Sequence, residues 1–174
     1  MAAKDMVGVS APLGFFDPLG FSNKASPEQL AKYRESELKH GRVAMLAVLG
    51  YLSAENWHPL YDGKLAGMNP LAAWAEFAVI SPSGLVQILA FCGFLEWILT
   101  DVQKNNKLPP GDFYGISNRI SDKDAPAWRD FQTRELNNGR AAMFGIIGEI
   151  AHTLLNGKGA IEGTMSTNGH YGFF

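Results

Sequence analysis

Glu37, His40 and Arg42 sit in the nonapeptide Glu37-Leu-Lys-His-Gly-Arg-Val-Ala-Met45, and 98 residues later Glu135, Asn138 and Arg140 sit in Glu135-Leu-Asn-Asn-Gly-Arg-Ala-Ala-Met143. Six of the nine positions are identical. On a helix, Glu37 and His40 are three residues apart and share a face. Arg42 lies five residues from Glu37, about 140° around the axis, so it cannot easily serve its own acid. The same holds in the second copy. Four such charges left bare in hydrocarbon would each be costly. Exchange removes the cost: Glu37 is expected to pair with Arg140, and Glu135 with Arg42, in a self-complementary crossing about a pseudo-two-fold axis. Gly41, Ala44, Ala47, Ala141 and Gly145 are the small residues expected to let the two helices approach.

A carboxylate has more acceptor positions than one guanidinium fills. Each paired Glu therefore keeps a lone pair for a metal while its charge is cancelled. His40 and Asn138 add a neutral nitrogen and a neutral oxygen one turn away. These are donors that magnesium accepts, but they are dispersed and do not converge on one ion. One protein ligand per metal is what magnesium inside a tetrapyrrole needs, since the ring supplies the other four. His152 follows Asn138 by fourteen residues and lies close to the same face. Gln87 and Glu96, nine apart on another apolar stretch, point to opposite sides and suit separate rings. Plainer readings stand beside these. The Glu–Arg pairs could be a structural lock, His152 and Gln87 could each bond a backbone carbonyl, and Glu96 could be protonated or lie at an interface. Glu149 could partner the His152 imidazole. His58 and His170 fall in loops, and Trp57, Trp74, Trp97 and Trp128 read as interfacial anchors.

Helices must position these groups. Ser26-Pro27-Glu28-Gln29 is a capping box with proline in the first turn, and no further proline interrupts before Pro59. A helix of roughly 45 Å is expected from about 27 to 56, charged in its first third and apolar from Val43. A second is expected over 84–101, at the short end of a membrane span. A third is expected over about 124–156, stopped by Asn156-Gly157. The stretches 57–82 and 105–123 read as loops, and the Gly-rich C-terminal tail from Gly157 as extended or loosely ordered. Thirteen of the fifteen Lys and Arg fall in residues 1–42 and 101–140. That asymmetry predicts an all-α membrane protein with three transmembrane helices, its N-terminus on the positive side. The 174 residues amount to a single domain, 1–174. With 17 acidic against 15 basic residues no polybasic face for nucleic acid stands out, and the lone Cys92 excludes an internal disulfide. No signal-peptide core or transit sequence opens the chain, so either it is made where it works or, as the favoured expectation, a targeting piece has been removed.

The paired Glu-x-x-His/Asn-Gly-Arg-x-Ala-Met motifs resemble those of the light-harvesting chlorophyll-binding superfamily. Ala11-Pro-Leu-Gly-Phe-Phe-Asp-Pro-Leu-Gly20 and Gln87-Ile-Leu-Ala-Phe-Cys-Gly-Phe-Leu-Glu96 are similar to segments of its fucoxanthin–chlorophyll a/c branch from red-lineage algae. The resemblance implies three spans in the plastid thylakoid, with the N-terminus in the stroma and the C-terminus in the lumen. It implies chlorophyll axial ligands at Glu37, His40, Glu135, Asn138 and His152, with Gln87 and Glu96 in the middle helix. The implied cofactors are chlorophyll a, chlorophyll c and fucoxanthin or a related xanthophyll. The resemblance also implies carotenoids in grooves beside the crossed helices, their ends cradled by residues 15–19 and 127–131. The Gly-rich tail stands where green-plant relatives carry a lumenal amphipathic helix.

The implied function is a light-harvesting scaffold and not an enzyme. It would pass excitation to a photosystem core, directly or through neighbouring antenna subunits, with membrane lipid around it and no nucleic acid. A photoprotective relative that dissipates excitation as heat shares the same ligands. A pigment-free transporter could instead use Glu37, Glu135 and Glu149 as a proton path. A soluble magnesium enzyme fits least, because no three carboxylates converge.

Overall fold

Ser26 and Gln29 satisfy each other's backbone amides: the Ser26 N–H donates to Gln29 Oε1 at 2.8 Å and the Gln29 N–H to Ser26 Oγ at 3.3 Å. That box opens the first long helix of a chain whose computed structural model describes residues 6–56, 65, 68–120 and 125–161. A single turn α1 (Phe21–Lys24) precedes it, and α2 runs over Pro27–Asn56. Then come α3 (Pro70–Ile80), α4 (Pro82–Asn105), a short 3-10 turn (Ile116–Asn118) and α5 (Pro126–Asn156). Gly157, at φ +68°, ends α5 by donating its amide to the Thr153 carbonyl at 2.8 Å. Among the described residues there is no strand, only an isolated bridge between Ser10 and Gly14.

Two expectations need correction. The stretch 57–82 is not all loop, since α3 occupies its second half. Asn69 caps α3 by accepting the Ala72 amide at 2.7 Å, with Pro70 in the first turn. Ala73 and Phe77, four residues apart, bury one face with Leu65, and Leu85 packs against them. The tail beyond Gly157 is not loose where it is described. Glu55 of α2 accepts the Ala160 amide at 2.5 Å and the Ile161 amide at 2.8 Å. Trp57, Asp62, Lys64, His58 and His170 lie outside the described residues.

Among the described residues α4 alone is long and apolar enough to cross a membrane by composition, with a mean hydropathy of 1.7. None of its 24 residues is buried in the protein. Leu46, Leu49, Phe144, Ile147, Leu154 and Leu155 on α2 and α5 are likewise exposed. So much bare apolar surface means that something other than this chain covers it.

The chain divides into two compact units, residues 1–43 with 95–141 and residues 44–94 with 142–174. In the second, Tyr51 Oη donates to Thr153 Oγ1 at 2.5 Å, joining α2 to α5. In the first, the two helices touch at glycine. A Cβ built on Gly41 would lie 2.9 Å from the Gly139 Cα, and one on Gly139 would lie 3.0 Å from the Gly41 Cα. Ala141, expected at this crossing, is exposed; Gly139 holds the place.

Candidate functional site

Glu37 and Glu135, at the polar ends of the motif helices, each receive a cation from the other helix of the crossing. Arg140 Nε donates to Glu37 Oε1 at 2.7 Å, and Arg42 Nε to Glu135 Oε1 at 2.7 Å. Each guanidinium spends a second N–H on a loop carbonyl: Arg140 Nη1 on Gly8 at 2.6 Å, Arg42 Nη1 on Gly111 at 2.7 Å. Gly8 and Gly111 both adopt left-handed backbone, φ +92° and +81°, and each is crowded by a motif leucine, Leu136 and Leu38 respectively. A side chain at either would be strained by its φ and blocked by that leucine.

One partner escaped sequence reasoning. Arg34 Nη1 also donates to Glu37, at Oε2 and 3.0 Å, while its Nη2 holds the Val7 carbonyl at 2.7 Å. Glu37 thus has a guanidinium on each oxygen. Glu135 has one, and its Oε2 bonds nothing among the described residues.

The loops that supply those carbonyls share a second motif. Asp17 accepts the Phe21 amide at 3.1 Å, the Ser22 amide at 2.9 Å and the Ser22 hydroxyl. Asp112 accepts the Ile116 amide at 3.0 Å, the Ser117 amide at 2.9 Å and the Ser117 hydroxyl at 2.5 Å. Between them stand Gly20 and Gly115 at φ +68° and +67°. The signal was in the chain, as Asp17-Pro-Leu-Gly-Phe-Ser-Asn23 and Asp112-Phe-Tyr-Gly-Ile-Ser-Asn118. The counterpart of residues 15–19 is therefore the Asp112 loop; residues 127–131 are the opening turns of α5. In the first copy eight residues, 9–16, are inserted between the left-handed glycine and the aspartate. They close on themselves through the Gly14 amide and the Ser10 carbonyl at 2.9 Å, and Asn137 Nδ2 donates to Ser10 Oγ at 3.1 Å.

Burial opposes the charge of Asp112, but the Ser117 hydroxyl and the Ser117, Ile116 and Gly115 amides outweigh it and hold the carboxyl below its ordinary range. Asp17 is lowered by the Ser22 hydroxyl first and then by the same kind of amides. A lowered folded-state pKa stabilises above the unfolded value and loses that contribution as pH falls through the folded one. Asp112→Asn is therefore expected to lower the melting temperature at neutral pH. The gap from wild type should close on acidification below the normal carboxylate range; a gap independent of pH would mean that the charge contributes nothing. Ser117→Ala removes one bond to a charged acceptor and should cost about 1.5–3 kcal/mol in the same melts.

The remaining candidate ligands are set out singly. His40 Nδ1 lies 2.7 Å from the Ser36 carbonyl, which can only accept. The proton is thus on Nδ1, and Nε2 presents its lone pair from an exposed side chain. Asn138 and Gln87 are exposed and bond nothing among the described residues. Glu96 receives the Lys39 ammonium on Oε1. His152 Nδ1 and Glu149 Oε2 are buried with no hydrogen-bond partner among the described residues, so no bond joins these two atoms. Glu37, Glu135, Arg42, Arg140 and Glu96 belong to the first unit; Gln87 and His152 belong to the second. Among the described residues no three potential ligands gather on one ion.

The candidate donors thus stand singly, on helices whose apolar side chains are largely exposed. The chain belongs to the chlorophyll-binding family described as Chlorophyll A-B binding protein, which its residues 2–154 match. It is 38% identical to fucoxanthin-chlorophyll a-c binding protein B of Macrocystis pyrifera, over 91% of this chain and 76% of that one. It is 39% identical to protein F of the same description from Phaeodactylum tricornutum (89% and 81% covered), and 38% identical to the one from Trieres chinensis (95% and 86%). The donor set fits chlorophyll: hard oxygen or imidazole atoms, one to a site, beside exposed apolar surface.

Proposed function

We propose that this protein is a light-harvesting antenna subunit of the plastid thylakoid, binding chlorophyll a, chlorophyll c and fucoxanthin or a related xanthophyll. The observation that carries the reading is the double exchange of counter-ions, Arg140 to Glu37 and Arg42 to Glu135, both at 2.7 Å. It gives each acid a cationic partner from the other helix and leaves Glu135 Oε2 without a bond among the described residues. In this reading α2, α4 and α5 are three spans, α2 and α5 cross about a pseudo-two-fold axis, and the N-terminus faces the stroma.

The pigments, once bound, supply light absorption and the excited states. The protein's part is to hold and space them and to set their surroundings. Glu37, Glu135 and Glu96 would each present a carboxylate oxygen to magnesium, His40 and His152 an imidazole nitrogen, and Asn138 and Gln87 an amide oxygen. Membership of a pigment-binding family makes the protein a scaffold and not an enzyme. Excitation would leave for a photosystem core or a neighbouring antenna subunit.

Pigment extraction from the purified protein, followed by chromatography, tests the cofactors; a colourless preparation would leave a transporter as the better reading. His40→Leu and Asn138→Leu are each expected to remove one chlorophyll per chain and leave the rest. The excitation spectrum of chlorophyll emission should contain the xanthophyll band. A strongly shortened fluorescence lifetime in the isolated complex would favour a photoprotective role instead.

A further inference from the structure

Lys39 fills the third place of the first nonapeptide, where the second copy has Asn137. Asn137 turns to Ser10 at 3.1 Å and to Arg140 Nη1 at 3.3 Å. Lys39 instead reaches another helix. Its Nζ meets Glu35 Oε1 at 2.9 Å and Glu96 Oε1 on α4, with the Phe113 ring centroid 5.4 Å away. Glu96 is the one charged residue in the apolar run 84–100. Its Oε1 also lies 3.4 Å from Thr100 Oγ1, while Oε2 bonds nothing among the described residues. The side chain is 57% exposed, on a helix that buries nothing. Glu96 thus repeats the state of Glu135, with one oxygen taken by a cation from α2 and the other open.

We infer that Lys39 is the counter-ion that turns Glu96 into a charge-compensated axial ligand, so that α4 holds a chlorophyll magnesium on Glu96 Oε2. The inference rests on the antenna reading above and adds a positioning residue to it. A bare carboxylate on a lipid-facing helix would carry a large uncompensated-charge cost, which disfavours placing it under a pigment. The ammonium removes that cost, and Glu35, one turn earlier on α2, fixes where it stands. The difference between the two copies at the third place then has a physical reason: the carboxylate of α4 stands against Lys39, whereas Asn137 meets the inserted loop.

The full chain refolded with chlorophyll a, chlorophyll c and fucoxanthin decides the matter. Lys39→Met should bind one chlorophyll fewer per chain than wild type, with a matching change in circular dichroism in the red band. Lys39→Arg should keep it. The double variant Lys39→Met/Glu96→Gln should regain it, because a neutral amide oxygen needs no counter-ion. A lysine that merely tethers α2 to α4 would leave the double variant as deficient as Lys39→Met, and that result overturns the inference. So does full pigment in Lys39→Met. If Lys39→Met assembles no complex, recovery or non-recovery of the double variant gives the answer alone. Wild type that binds no chlorophyll would overturn the antenna reading and this inference with it, whereas a loaded wild type beside an equally loaded Lys39→Met overturns only the latter.

Discussion

Arg42→Leu is expected to strip the pigment proposed at Glu135 and to destabilise the assembled protein more than Arg140→Leu does. The motif repeat makes the two arginines look equivalent, but their acids are not. Without Arg140, Glu37 keeps Arg34 on its other oxygen at 3.0 Å. Without Arg42, Glu135 has no cation among the described residues. Arg42 also holds the Gly111 carbonyl at 2.7 Å and lies 5.8 Å from the Phe113 ring centroid, so its loss frees the Asp112 loop as well. About a third of each side chain in the Arg42–Glu135 pair is exposed. The penalty should therefore fall between the ~1 kcal/mol of a surface pair and the about 3–5 kcal/mol of breaking a buried one. Pigment stoichiometry after refolding, with melting followed in the red dichroism band, measures both effects. Equal losses in the two variants would show that Arg34 does not compensate.

Much of this site could be read from spacing. Two copies at an offset of 98, each with an acid and an arginine on different faces, leave exchange as the arrangement that satisfies all four charges. The capping box at Ser26 and the stop at Gly157 are local, and local chemistry decides them. What escaped depends on other offsets or other elements. Gly8 and Gly111 stand 103 apart and Asp17 and Asp112 stand 95 apart. The inserted residues 9–16 put the arms out of step with the helices, and a search in the helical register passes over them. Arg34 lies outside the nonapeptide, one turn before its acid. Lys39 could not be assigned to Glu96, because nothing in the order of residues says which face of α2 meets α4. The helix α3 was hidden by length: eleven residues are too few for a span, and only Asn69-Pro70 marks its start.

Gly41→Leu is expected to abolish assembly, and Gly41→Ala to weaken it severely. A Cβ at Gly41 would stand 2.9 Å from the Gly139 Cα and 3.4 Å from its carbonyl carbon, where ordinary contact begins at 3.4–4 Å. The obstacle is backbone, which cannot swing aside as a side chain can, so the helices must part. Parting them pulls on both ion pairs, since Glu37 and Arg42 flank Gly41 on one helix and Glu135 and Arg140 flank Gly139 on the other. Overpacking a core costs about 1–3 kcal/mol where neighbours can yield; here they cannot, and Gly41→Ala should sit at or above the top of that range. The gain in helix propensity, about 1 kcal/mol for Gly to Ala, is too small to offset it. Gly139→Ala, at 3.0 Å from the Gly41 Cα, should behave alike. Gly145→Ala is the control, because its Cβ would meet only Val48 Cγ2 at 3.6 Å, and it should refold with full pigment. The yield of pigmented complex and its melting temperature read all four variants. A fully loaded Gly41→Leu complex would mean that α2 and α5 are not held at this separation, and then the exchanged ion pairs could not be what sets the ligands.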